Sequence, residues 1–139
     1  MAGWSSKGAK ERPAPAPPPL HELESEVMEA LWAAGGESSV RAVMEILNPR
    51  AAKPRAYTTY MTIMARLHTK GMLTRRREGK TDYYSPARER ADYMDLRARS
   101  EVEDLVAEYG DAALSHFAQQ MASLDPARRR ALQRLTRKH

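Results

Sequence analysis

The sequence predicts a mostly α-helical fold interrupted by one β-hairpin, and three observations carry that prediction. Apolar residues recur at the i, i+3, i+4, i+7 spacing of a helix face in segment after segment. Just after Gly71 the period changes to an extended one, and the chain turns back at Glu78-Gly79-Lys80. Charge is also segregated: residues 20–47 carry six acids and one base, whereas residues 48–86 carry nine bases and two acids. A helix with a thin polar face leading into a basic two-stranded ribbon is what a winged helix-turn-helix requires. The helix fits a major groove and the ribbon lies along phosphates. The fold expected is a winged helix-turn-helix DNA-binding domain over 20–86 and a helical dimerisation region over 87–139.

Residues 1–19 read as a disordered, proline-rich leader, because Pro13-Ala-Pro-Ala-Pro-Pro-Pro19 favours extended polyproline and supplies no core. The first helix spans about 20–33, with Leu20, Leu23, Val27, Ala30 and Leu31 on its buried stripe, and Gly35-Gly36 stops it. Ser38 or Ser39 caps a second helix whose Val40, Val43, Met44 and Leu47 share one face. Asn48-Pro49 closes it, since proline disfavours helix in the residue before it. The basic loop over 50–56 is expected to be mobile.

The third helix, from Tyr57 towards Gly71, buries Tyr60, Ile63, Met64 and Leu67. Its opposite face presents Thr58, Thr59, Met61, Thr62, Ala65 and Arg66. Beyond the ribbon, a long helix over 88–109 carries a narrow apolar seam of Ala91, Met94, Ala98, Val102, Leu105 and Tyr109. Leu114, Phe117, Ala118 and Met121 form another stripe, and Asp125-Pro126 opens a last helix through capping and a first-position proline. Three amphipathic helices with no internal partner call for a second copy of the chain.

The chain has 139 residues and no cysteine, which excludes disulfides and thiolate metal sites and makes a reducing cytoplasm the expected compartment. No apolar run approaches the length of a membrane span, and no export signal is seen. His21, His68, His116 and His139 are scattered. No catalytic site, metal site or cofactor is therefore expected.

Several motifs together resemble the penicillinase-repressor family, the regulators of β-lactamase and methicillin-resistance genes and the copper-responsive repressors. They are Leu23-Glu-Ser-Glu-Val-Met-Glu-Ala-Leu-Trp32, Ser39-Val-Arg-Ala-Val43, Tyr57-Thr-Thr-Tyr-Met-Thr-Ile63 and Arg66-Leu-His-Thr-Lys-Gly71. The resemblance implies a homodimeric repressor that binds palindromes built on TACA and TGTA half-sites of double-stranded DNA. It places Thr58, Thr59, Met61 and Thr62 nearest the bases, where hydroxyls can meet base edges and methyls can pack on thymine. Arg66, Arg75, Arg76, Arg77 and Lys80 would hold phosphates. Met94, Ala98, Val102, Leu105, Tyr109, Leu114, Phe117 and Met121 would form the dimer region.

In the β-lactam branch a membrane sensor-protease pathway leads to cleavage of an Asn-Phe bond in the dimer region, and the corresponding pair here is His116-Phe117. The cysteine-rich motif of the copper branch has no counterpart. Two other function classes stand beside this reading. One is a winged-helix module that docks proteins, because the fold also serves that use. The other is an enzyme on nucleic acid, for which the sequence offers no acid–base or metal constellation.

Overall fold

The computed structural model describes residues 16–138. The elements run α1 (Glu22–Ala34), β1 (Ser38–Ser39), α2 (Val40–Leu47), a 3-10 turn (Asn48–Arg50) and α3 (Tyr57–Thr69). They continue with β2 (Leu73–Glu78), β3 (Thr81–Pro86), α4 (Arg90–Tyr109), α5 (Asp111–Ala122) and α6 (Pro126–Lys138). One compact unit ends at Arg97 and a second begins at Ala98.

The first unit is a winged helix, and its core assembles from the three stripes that periodicity marks. Val27, Met28 and Leu31 of α1, Val43 of α2, and Tyr60, Met64 and Leu67 of α3 are fully buried. Met72, Leu73 and Tyr84 close that core from the sheet side. Burying an aliphatic side chain of this size stabilises by about 1.5–3 kcal/mol, so the packing of these stripes dominates over helix propensity. Gly35 ends α1 at φ 75° and Gly71 follows α3 at φ 81°, left-handed conformations that only glycine adopts without strain. Ser39 caps α2, its hydroxyl accepting from the Ala42 N–H at 3.2 Å.

Four expectations are corrected. The ribbon is not two-stranded: Ser38 and Ser39 pair antiparallel with Tyr84 and Tyr83, giving a three-stranded sheet in the order β1-β3-β2. Two residues of β1 are too few to show a period of two. The loop over 50–56 is not free either. The Asn48 amide donates to the Arg55 carbonyl and accepts from the Arg55 N–H, both at 3.0 Å. The Tyr60 hydroxyl donates to the same Asn48 oxygen at 2.7 Å.

The third correction moves the boundary at 86/87 to 97/98. The start of α4 belongs with the first unit, because Tyr93 is buried with its ring 5.4 Å from that of Trp32. The Trp32 indole N–H also donates to the Arg88 carbonyl at 2.9 Å, and Arg90 pairs with Glu29 at 2.9 Å. The fourth concerns the leader. Residues 1–15 lie outside the described residues, but Pro17 is buried, so the leader's end supplies packing after all.

The second unit holds the rest of α4 with α5 and α6. The Asp125 carboxylate caps α6, accepting from the Arg128 N–H at 2.8 Å. Val102, Leu105, Tyr109, Leu114, Met121 and Leu135 are all exposed, as is Met94 in the first unit. Ala98 is exposed and Phe117 is half-buried.

Candidate nucleic-acid interface

The face of α3 that looks away from the core carries the residues the sequence singles out. Thr58, Thr59, Met61, Thr62 and Arg66 are exposed, while Tyr60, Met64 and Leu67, on the other side of the same helix, are buried. Met61 is 45% exposed, which settles its helical phase: it is not a core methionine. Ile63 lies between the two faces and is half-buried.

Both ends of this helix are braced. At its beginning, Tyr60 is held by Asn48, which also fixes the preceding loop. At its end, the Lys70 ammonium donates to both oxygens of Glu24 at 2.9 and 2.8 Å. Glu24 is 1% exposed, so this ion pair sits at the core margin. Burial alone would push the Glu24 carboxyl up. The Lys70 hydrogen bonds, and the His21 backbone N–H donating at 3.0 Å, hold it below its ordinary value instead. A helix pinned at two points presents its outer side chains with little freedom to shift, as a reading surface requires.

The wing is built by β2 and β3, joined through Gly79 at φ 63° and Lys80. Strand alternation separates its arginines. Arg75 and Arg77 share a face with buried Leu73 and Tyr84, whereas Arg76 points to the other face. There the Arg76 guanidinium bonds Glu37 at 2.9 Å and Glu78 at 2.8 Å and lies 5.0 Å from the Tyr83 ring centre. Those two carboxylates, Glu37 foremost, raise its already high pKa, and Arg76 in turn holds the Glu37 carboxyl low. Arg77 makes a longer pair with Asp82 at 3.3 Å. Arg75 and Lys80 are exposed. The three consecutive arginines are thus not equivalent: Arg76 braces the sheet from its outer face.

Two residues beside this exposed face, Tyr57 and Arg41, were not among those the sequence singled out. Tyr57, at the start of α3, is 42% exposed, and the Arg41 guanidinium of α2 stands 5.8 Å from its ring centre. The signal was Tyr57 itself, an aromatic one turn before Tyr60 and therefore beyond the end of the core. Glu24 was also legible, since it lies three, four and seven residues before Val27, Met28 and Leu31. An acid in that phase needs a buried cation. Among the described residues, no three His, Cys, Asp or Glu side chains gather as a metal site, and no helix is long and apolar enough to cross a membrane.

The chain is similar in sequence to known proteins. The profile of the penicillinase repressor family matches residues 20–138. The transcriptional regulator BlaI of Mycobacterium tuberculosis is 33% identical over 124 residues, which cover 86% of this chain and 87% of that protein. The penicillinase repressor of Bacillus licheniformis is 26% identical over 83 residues, 60% of this chain and 62% of its own. The solution structure of the monomeric form of B. licheniformis BlaI, in complex with the blaP half-operator, is 27% identical. It superimposes with a TM-score of 0.46 over 55% of this chain and 90% of that one. The chain belongs to the penicillinase repressor family and is a winged-helix, DNA-binding transcriptional repressor.

Proposed function

We propose that the protein acts as a homodimer on palindromic operators of the TACA/TGTA type, in a β-lactam-response circuit of the cytoplasm. The observation that carries this reading is the outward face of α3. Its exposed Thr58, Thr59, Met61 and Thr62 stand on a helix fixed at both ends by Asn48 and Glu24. Threonine hydroxyls and methyls, with a thioether among them, suit an A·T-rich major groove. Arg66, Arg75, Arg77 and Lys80 hold phosphates and set the register. Arg76, occupied by two carboxylates, holds the wing to the sheet instead.

The second copy joins through Met94, Ala98, Val102, Leu105 and Tyr109 of α4 and Leu114, Phe117 and Met121 of α5. The exposure of six of these large apolar residues supports that reading, since a solitary chain seldom leaves so many uncovered. Repression ends by cleavage at His116-Phe117 in response to a membrane sensor-protease. Both residues lie inside α5, and a protease needs an extended chain, so cleavage requires local opening of that helix.

The reading is tested by titrating the full chain onto a TACA/TGTA palindrome and a scrambled duplex at several salt concentrations. Specific binding with a steep salt dependence is expected. Equal affinity for both duplexes would leave the protein-docking alternative as the better account.

A further inference from the structure

The proline segment before α1 is better ordered than its composition suggests. Pro17 is buried and Pro18 half-buried. Proline has no backbone N–H, so the carbonyls are the only polar groups such a segment offers. Two of them are bound: Arg97 donates to the Pro17 carbonyl at 3.2 Å and the Tyr93 hydroxyl to the Pro18 carbonyl at 3.4 Å. The Tyr93 ring in turn packs against that of Trp32, centroids 5.4 Å apart and tilted by 42°. An aromatic pair with phenol and guanidinium donors facing successive proline carbonyls is the chemistry that recognises polyproline II ligands. Such ligands are already extended, so little conformational freedom is lost on docking.

We infer that Tyr93 and Arg97, with Trp32 backing the Tyr93 ring, form a polyproline-binding site, and that its ligand is this chain's own Pro17-Pro18-Pro19, a strap that locks the root of α4 to α1. The strap joins two further ties at the same place, the Trp32 bond to the Arg88 carbonyl and the Arg90–Glu29 pair. The Tyr93 phenol is protonated and able to donate through the neutral range, and burial shifts its pKa further upward. α4 also carries the seam by which a second copy is held. A loosened root therefore lowers the effective concentration with which a second DNA-binding unit meets its half-site. This consequence rests on the dimeric reading above; the strap itself does not.

The test uses the full chain with Trp4→Phe, which leaves Trp32 as the reporter, and adds Pro17→Gly, Pro18→Gly and Pro19→Gly together. Glycine restores the freedom that proline removes, so the strap should detach. Trp32 emission should then move to longer wavelength while circular dichroism stays unchanged. A synthetic peptide of the sequence over 13–20, added at millimolar concentration, should reverse the shift. Adding Tyr93→Phe to the same variant should weaken that reversal.

Affinity for the palindrome should fall by roughly threefold to tenfold, and that for a single half-site should hold, as expected for lost effective concentration. Unchanged emission in the glycine variant would overturn the proposal. So would a shift that the peptide cannot reverse, or a reversal that Tyr93→Phe leaves intact. If the unaltered chain binds palindrome and half-site equally, the dimeric reading fails, and the emission series alone decides on the strap.

Discussion

Replacing Lys70 by alanine should destabilise the first unit far more than its position at a helix end suggests. Glu24 is 1% exposed and receives two of its three hydrogen bonds from Lys70, at 2.9 and 2.8 Å. Without the ammonium, the carboxylate must stay charged and buried or take up a proton. Breaking a buried pair in this way costs on the order of 3–5 kcal/mol. Protonation caps the variant's own charge penalty: lifting a carboxyl from an ordinary value near 4.5 to pH 7 costs about 3.4 kcal/mol at 1.36 kcal/mol per unit, and the parent's favourable contribution is lost besides. We therefore expect a loss of about 3–5 kcal/mol at pH 7, read from the midpoint of a urea melt with an unchanged slope.

The pH dependence gives a second check. In the parent, the Glu24 carboxyl is held below its ordinary value, so its contribution is present above about pH 4.5 and is lost as pH falls through the lowered value. In Lys70→Ala the sign reverses. The lone buried carboxyl titrates above its ordinary value, so the gap to the parent narrows as pH drops from 7 to 4.5. Glu24→Leu with Lys70→Met should recover most of the loss, because no buried charge remains. A loss under about 1 kcal/mol that does not vary with pH would refute the reasoning that this pair braces α3.

Three further outcomes are expected. Arg75→Ala and Arg77→Ala should each flatten the salt dependence of DNA binding by a slope of up to about 0.9, while Arg76→Ala should leave the slope alone, as measured by titrations across salt. Asn48→Ala should cost about 1–3 kcal/mol in a thermal melt, since it frees the Tyr60 hydroxyl and both Arg55 backbone groups, and limited proteolysis should now cut within 50–56. Val102→Asp with Leu105→Asp should turn a dimer into a monomer by light scattering and keep single half-site binding; a dimer of unchanged mass would move the interface elsewhere.

The helices were legible because their apolar residues keep one period over many turns. Val27 with Leu31, Val43 with Leu47, and Tyr60 with Met64 and Leu67 need only the i, i+3, i+4 rule to be placed in one core. The outward position of Thr58, Met61 and Thr62 follows from the same rule. What stayed hidden depends on partners far away in sequence. Glu37 and Arg76 meet only because β1, two residues long, pairs with β3, and so short a strand has no pattern to read. Asn48-Pro49 announced a helix end, but not that Asn48 would bind Arg55 and Tyr60. Proline composition spoke for a free leader, and Tyr93, 75 places beyond Pro18 in the chain, decided otherwise. Tyr93 itself lay off the seam marked on α4, so the spacing of that seam gave no sign that it is buried.

The central claim, that α3 reads bases with one face and holds the fold with the other, is tested most directly by Thr62→Ala beside Met64→Ala. Thr62 is exposed and Met64 fully buried, two residues apart. Each variant is titrated onto the palindrome and a scrambled duplex, with a thermal melt in parallel. Thr62→Ala should lose on the order of 1–2 kcal/mol on the palindrome alone, in the range of one base contact, and melt like the parent. Met64→Ala should lose about 2–5 kcal/mol of stability through the cavity it leaves, and keep its preference for the palindrome wherever it stays folded. Thr62→Ala melting early with its sequence preference intact would contradict the account.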